Sequence, residues 1–338
     1  MAILNKVIPA AMSVILAGCY ENFTPDVDCT PVLCVNSLVT AGLPIDVQVT
    51  HTWLYDDLEA DRDHSVGDAT IAVYANGSLI DGDYVAREGD RIRIEADSPT
   101  YGHADAEVVV PVAVPVKSIE WTPRLKSCHV EQTGTNGLSV YIKFDLNVNL
   151  TLQDRAGTED YYRFDYTWFN KSVAGADDYI DEDPQGPECY LYAGSFDYDS
   201  EPLFSEHIGV FESIMGGDSF GFTFFTDRQI NGKEYTMHLR YTDVTYILTV
   251  ADYDDEWLDC GFELTLKTIS ESFYKWMNYN WQVDNGPLEE IGSMGLGDPL
   301  SAYSNVSTGA GIVAAQSWRS VTINFGDFLR QAIGDADR

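Results

Sequence analysis

Basic residues are scarce in this chain. Of its 338 residues, 20 are Lys or Arg and 54 are Asp or Glu, which gives a formal net charge of −34 at pH 7. A surface of this sign repels nucleic-acid phosphates and anionic lipid headgroups. We therefore expect no nucleic-acid partner. An affinity for divalent cations remains an alternative, although a solvated acidic surface explains the same charge.

Signatures of common catalytic sites are also missing. The chain contains neither an H-E-x-x-H motif nor a C-x-x-C pair, so no metalloprotease, zinc ribbon or dithiol redox site is indicated. The glycine cluster Gly292–Gly297 matches neither a phosphate-binding loop nor a dinucleotide fingerprint. We predict that the protein is not an enzyme and has no cofactor or metal. A hydrolase that uses two of the many carboxylates is the enzymatic alternative.

The N-terminus carries an apolar run that is too short to span a bilayer. Lys6 precedes the run Val7–Leu16, which has the length of a signal-peptide core. The sequence Leu16-Ala-Gly-Cys19 matches the L-[AS]-[GA]-C lipobox of bacterial lipoproteins. By this resemblance, residues 1–18 are a signal peptide and Cys19 carries the lipid chains that anchor the protein to a membrane. The alternative is a secretory signal followed by an incidental cysteine.

Five cysteines follow Cys19, namely Cys29, Cys34, Cys128, Cys189 and Cys260. An export signal would place them in a compartment that permits disulfides. Because their number is odd, at least one stays free or pairs with another chain, and the connectivity is open. Cys34 falls within an apolar strand pattern, so we expect it to be buried. The polar, acidic stretch 19–31 is predicted to be a tether.

Residues 32–116 show the pattern of short, half-buried strands. Residues 32–39 are an apolar run, and Asn76-Gly77 between two apolar runs is a strong hairpin signal because both residues tolerate positive φ. Pro111 and Pro115 mark an edge strand or an exit, since neither can donate a ladder hydrogen bond. This region is predicted to form an immunoglobulin-like or transthyretin-like β-sandwich.

Residues 117–338 are predicted to form a larger antiparallel β domain. Apolar side chains alternate along several segments, as in strands with one wet face. The segments are Val140–Leu150, Tyr162–Trp168, Phe220–Phe224, Tyr235–Tyr241, Tyr246–Val250 and Trp318–Phe325. The fold class is therefore mainly β.

The period changes to that of a helix at about residues 269–283. Thr268-Ile-Ser-Glu271 has the capping-box pattern, and Glu271 and Lys275 are spaced for an i,i+4 ion pair. One helical face then carries Ile269, Phe273, Trp276, Met277 and Asn280. We interpret this stripe as core in preference to a ligand platform. Apolar residues between Phe328 and Ile333 predict a short second helix.

Two acidic loops are candidates for calcium, because hard oxygen ligands suit a hard cation. One loop contains Asp197, Asp199 and Glu201, and the other contains Asp252, Asp254 and Asp255. Neither matches the twelve-residue calcium-binding loop. Calcium is therefore an open alternative, and no calcium site is predicted.

Six stretches together resemble one known family. They are Leu33–Leu38, Val66–Gly77, Glu88–Ala96, Phe225–Tyr235, Leu266–Trp276 and Tyr303–Ala315. The last stretch, in which Gly309 and Gly311 frame a backbone turn, is the most specific. The family is the Bacteroidota lipoproteins known as domain of unknown function 4249. The resemblance implies a β-rich lipoprotein, often encoded near TonB-dependent outer-membrane receptors, and it implies no catalytic residues.

These observations predict an outer-membrane lipoprotein anchored through Cys19. Its expected role is that of a binding or accessory module that works with a TonB-dependent receptor in the uptake of a nutrient. A structural or adhesive cell-surface lipoprotein is the main alternative, and an envelope hydrolase is the third. The face of the outer membrane and the ligand are left open.

Overall fold

The computed structural model describes residues 30–53, 64–170, 188–207, 223–285 and 302–336. The predicted signal peptide, Cys19, Cys29 and most of the predicted tether lie outside these residues. Within them the chain is mainly β, as predicted. The strands are β1 (Leu33–Thr40), β2 (Gln48–His51), β3 (Thr70–Ala75), β4 (Ser78–Leu79), β5 (Arg91–Ser98), β6 (Gly102–Val109), β7 (Val116–Thr133), β8 (Gly137–Gln153), β9 (Tyr161–Asn170), β10 (Glu188–Tyr192), β11 (Ser195–Phe196), β12 (Phe224–Thr226), β13 (Glu234–Val250), β14 (Cys260–Ile269) and β15 (Val313–Asn324). The α-helices are α1 (Glu271–Asn285) and α2 (Gly326–Ala336), and three short 3-10 helices lie at Tyr198–Ser200, Pro202–His207 and Asp255–Leu258.

The strands form three sheets. One has six strands in the order β12-β9-β14-β15-β1-β2, and another has four in the order β4-β3-β5-β6. The third has the order β10-β13-β8-β7, with β11 also paired to β13. β1 and β15 run parallel, whereas β14 is antiparallel to both β9 and β15. The six-stranded sheet therefore joins the beginning and the end of the described chain.

The larger core lies between the five-stranded and six-stranded sheets. Val140, Ile142, Phe144, Leu146, Val148 and Leu150 on β8 are all at most 1% exposed, which confirms the predicted alternation. They share one hydrophobic cluster with Phe164 of β9 and Phe262 of β14. The segments predicted at 235–241 and 246–250 are both strand, but they are not two separate strands, because β13 runs through both with an irregularity between Tyr241 and Val244. Asp243 takes φ 60 there, so the chain bulges without turning back.

The smaller core lies between the four-stranded sheet and part of the six-stranded sheet. Leu33, Val35 and Ile94 are fully buried in one cluster with Val313 and Ala315, which lie far away in sequence. The layer that covers β5 and β6 thus consists of β1, β2 and the start of β15. Because a C-terminal strand completes this layer, the immunoglobulin-like or transthyretin-like detail of the predicted sandwich is not confirmed. The predicted division at residue 116 stays a prediction.

Two glycines let the chain reach β1 from its C-terminal side. The amide of Ala310 donates to the Leu33 carbonyl at 2.8 Å, and the amide of Val35 donates to the Ala310 carbonyl at 2.9 Å. A Cβ on Gly309 would lie 2.6 Å from the Leu33 oxygen, and one on Gly311 would lie 2.3 Å from the Val35 oxygen. Only residues without a side chain fit this approach.

Both predicted helices are present. α1 covers residues 271–285, two residues later than predicted, and α2 buries Leu329 and Ala332. The last strand, predicted from Trp318, begins five residues earlier at Val313. The predicted alternation at Phe220 and Phe222 lies outside the described residues. Within the described part of the chain, no helix is both long enough and apolar enough to cross a membrane.

Candidate functional site

A groove of about 620 Å³ lies between α1 and the outer face of the six-stranded sheet. This volume is within the range of small-molecule binding sites. Its walls come from four strands or their approaches and from one helix, and most of the lining is apolar. The lining residues are Asn36, Ser37, Leu38, Asp46, Gln48, Arg163, Phe273, Trp276, Met277, Ile312 and Ala314.

The position of α1 beside the groove is fixed at its first turn. Ser270 caps the helix, because its Oγ accepts a hydrogen bond from the amide of Phe273 at 3.2 Å. The same Oγ accepts from the amide of Ala315 at 3.0 Å, and the Ser270 amide donates to the Ala315 carbonyl at 2.8 Å. The predicted capping box at Thr268 is therefore wrong. β14 continues to Ile269, and the buried Thr268 hydroxyl instead accepts from the amide of Val114.

The aromatic stripe of α1 serves as core and as groove wall together. Phe273 is 7% exposed and packs in a small cluster with Tyr161 and Phe224. Trp276 and Met277 are half-buried and line the groove. The predicted ion pair on the opposite face is present, with 2.6 Å between Lys275 Nζ and Glu271 Oε1.

Arg163 and Asp46 are the charged side chains among the groove-lining residues. Arg163 Nε donates to Asp165 Oδ1 at 2.7 Å, and the guanidinium carbon lies 5.2 Å from the ring centroid of Phe224. The other Asp165 oxygen lies 2.7 Å from Lys267 Nζ. Two cations thus share one carboxylate, which leaves one net positive charge at this place. The Asp46 side chain is exposed, and its carbonyl accepts from the Ser37 hydroxyl at 2.7 Å.

A second cluster joins two turns at the end of the larger core. Asp154, Asp160 and Asp227 are 3%, 4% and 2% exposed, and a carboxylate oxygen from each lies within 4.8 Å of the other two. Asp154 and Asp160 bracket the turn from β8 to β9, and Asp227 follows β12. The amide of Asp227 donates to the Asp160 carbonyl at 3.0 Å, which holds the turns together.

Hydrogen bonds from the protein occupy this acidic cluster. Asp154 accepts from the Tyr162 hydroxyl and, at 2.7 Å, from the Gly232 amide. Asp160 accepts two hydrogen bonds from Arg155, and Asp227 Oδ2 accepts from Asn231 Nδ2 at 2.6 Å. Burial raises the pKa of Asp227, and the neighbouring carboxylates of Asp154 and Asp160 raise it further. The oxygens could ligate a hard cation, but the donors already present explain the cluster as a structural corner.

Two residues of the acidic loops considered for calcium have structural roles, namely Glu201 and Asp254. Glu201 is fully buried and accepts from the Tyr235 hydroxyl and the His238 amide, both at 2.8 Å. Asp254 caps a 3-10 helix through the Glu256 amide at 3.0 Å. In the described ranges, only Asp154, Asp160 and Asp227 form a group of three that could hold a metal. Sequence reasoning missed this group, although Asn231-Gly232 marks its turn.

Four of the five cysteines that follow Cys19 are described, and Cys34, Cys189 and Cys260 among them are free thiols. Cys189 and Cys260 are buried, whereas Cys34 is only half-buried, so the expectation of a buried Cys34 is wrong. Burial raises the pKa of Cys189 to about 11. A thiol with this pKa is protonated at neutral pH and is a poor nucleophile.

One short motif contradicts the expectation that signatures of common catalytic sites are missing. Gly217-Asp-Ser-Phe-Gly221 has the G-x-S-x-G spacing of a nucleophile elbow, and it lies outside the described residues. Such an elbow needs a strand-to-helix turn on a largely parallel α/β sheet. The sheets of the described residues are mostly antiparallel, so they do not provide that context.

Comparison with known proteins gives one match. The family model described as Domain of unknown function (DUF4249) matches residues 20–322. No curated protein and no solved structure matches the chain.

Proposed function

The chain belongs to the DUF4249 family, and from this premise we propose that it is a lipid-anchored binding module of the outer membrane. The groove beside α1 carries the proposal, since it is a concave, mostly apolar site with a few polar groups. The lipobox at Leu16–Cys19 supports the anchor. In this proposal the protein binds a nutrient and passes it to a TonB-dependent receptor. Calcium and nucleic acid have no role in it.

Location and partner are tested together in the native host. A C-terminally tagged chain is followed by membrane fractionation, protease treatment of intact cells and tag pull-down from detergent-solubilised outer membranes. We expect the chain in the outer-membrane fraction together with a TonB-dependent receptor. Cys19→Ala is the matched control, because it removes the lipid attachment and should move the chain to the soluble fraction.

Two outcomes would contradict the proposal. A chain found only in the inner membrane would overturn the location. A gene deletion that impairs attachment of cells but leaves nutrient uptake intact would favour the structural or adhesive alternative.

A further inference from the structure

Arg163 offers unused hydrogen-bond donors to the groove. Its side chain is 32% exposed, and its Nε is the atom that donates to Asp165. Across the described ranges, neither terminal nitrogen of its guanidinium donates a hydrogen bond to the protein. The guanidinium lies over the ring of Phe224, with 5.2 Å between its carbon and the ring centroid. The two terminal nitrogens of such a fork match the two oxygens of a carboxylate.

The local charge favours an anion with one negative charge. Arg163 and Lys267 are both 2.7 Å from oxygens of Asp165, so the three groups sum to one positive charge. A phosphate dianion would exceed this charge in a chain whose net charge is −34. The exposed Asp46 carboxylate also lines the groove, and its negative charge disfavours a second anionic group on the ligand.

The rest of the groove is suited to an apolar body. Trp276 and Met277 form one wall, and Leu38, which is 44% exposed, forms part of the other. Ala314 lies among the lining residues as a small side chain that leaves space. An apolar group between these walls would remove their exposed surface from water.

Resting on the binding role proposed above, we propose that the groove binds an amphipathic monocarboxylate, with its carboxylate on Arg163 and its apolar part between α1 and β1. The same chemistry occurs in medium-chain fatty acids and in arylalkanoic acids. Octanoate and 3-phenylpropanoate represent the two sources, and octan-1-ol and 3-phenylpropan-1-ol are their neutral counterparts. The acid that binds more tightly identifies the source.

Binding is measured by isothermal titration calorimetry with the Cys19→Ala chain, which needs no detergent because it carries no lipid. Each probe is titrated up to about 1 mM, which detects millimolar and tighter binding. At least one acid should bind with one-to-one stoichiometry and about tenfold more tightly than its alcohol, because the alcohol lacks the charge-assisted hydrogen bonds.

Arg163→Gln should weaken the acid about tenfold and leave the alcohol unchanged. Arg163→Lys keeps the positive charge but lacks the two terminal guanidinium nitrogens, so it should weaken binding of the acid less than Arg163→Gln does. Arg240→Gln makes the same charge change at an exposed arginine that does not line the groove, and it should change neither affinity. Leu38→Trp fills the groove and should abolish binding of all probes, whereas Leu79→Trp at an exposed position on β4 should not.

Absence of saturable binding by both acids would overturn the ligand class. Equal losses in Arg163→Gln and Arg240→Gln, or equal losses for acid and alcohol in Arg163→Gln, would overturn the role of Arg163. These measurements use purified protein without a receptor. A negative calorimetry result would therefore not bear on the location or the receptor partner. A negative fractionation or pull-down result would likewise not bear on binding in the groove.

Discussion

Replacement of Gly311 by Ala tests whether the C-terminal stretch must lie against β1 as the structure has it. Gly311 has φ +101, and an added Cβ would lie 2.3 Å from the Val35 oxygen and 2.9 Å from Asn36 Oδ1. An L-residue in this backbone region costs about 1–2 kcal/mol, and forcing an atom into a packed site costs about 1–3 kcal/mol. Gly311→Ala should therefore lower the free energy of unfolding by about 3 kcal/mol.

Three other glycines separate the effect of positive φ from the effect of a close contact with the added Cβ. Gly309 has the close approach without the positive φ, so Gly309→Ala should cost about 2 kcal/mol. Gly42 has φ +87 with nothing within 4 Å of an added Cβ, so Gly42→Ala should cost about 1 kcal/mol. Gly67 has neither feature, and Gly67→Ala should be neutral or raise stability by about 0.5 kcal/mol through the unfolded state.

The assay is urea unfolding of the four variants and the wild type, followed by far-UV circular dichroism. The order of midpoints should be Gly67→Ala, Gly42→Ala, Gly309→Ala and Gly311→Ala, from highest to lowest. Equal midpoints for Gly311→Ala and Gly42→Ala would refute the contact with the Val35 carbonyl. A neutral Gly309→Ala would refute the pairing of residue 310 with β1.

Two further predictions concern buried polar groups. Tyr162→Phe should lower the free energy of unfolding by about 1–3 kcal/mol, because it leaves the buried Asp154 carboxylate without the Tyr162 donor. Tyr241→Phe, at a fully buried tyrosine whose hydroxyl has no hydrogen-bond partner among the described residues, should be neutral or stabilising; an equal loss in the two variants would contradict this. The pKa of Asp227 is raised in the folded state, so the folded state binds the proton of this carboxyl more tightly than the unfolded chain does. The resulting stabilisation is complete below the unfolded pKa of about 3.9 and is lost as pH rises through the folded pKa. Asp227→Asn lacks this titration, so the wild type should lose stability relative to the variant as pH rises above about 4 in urea unfolding, and a constant difference would count against the raised pKa.

Periodicity predicts the interior strands of this fold well. Along β8, burial of every second residue is what the alternation indicates, because both neighbours of β8 are strands and its inner face meets the larger core. β7 alternates only between half-buried and exposed residues, most regularly from Ile119 to Arg124, because it is an edge strand with a largely exposed surface. Local alternation therefore predicts strands in proportion to how much of one face is buried.

The groove and the acidic cluster lie beyond local patterns for different reasons. The groove combines residues from Asn36 to Ala314, and the amide of Ile312 donates to Asn36 Oδ1 at 3.1 Å across nearly the whole described chain. Its lining depends on the parallel pairing of β1 with β15, which no local turn or loop pattern predicts. The acidic cluster cannot be picked out of the sequence, because 54 residues are acidic and no periodic pattern marks Asp154, Asp160 and Asp227 as buried.

The contacts of Tyr303–Ala315 give a physical reason why this stretch is the most specific part of the resemblance to the DUF4249 family. Asn305 pairs with both backbone groups of Val313, at 2.8 and 2.9 Å, and so closes the segment into a loop. Within that loop Gly309 and Gly311 admit the carbonyls of β1, and at its end Ala315 holds Ser270, the cap of α1. The floor of the groove and the start of its helical wall therefore depend on one backbone path. A substitution that displaces this path should therefore disturb the β1 pairing and the groove together.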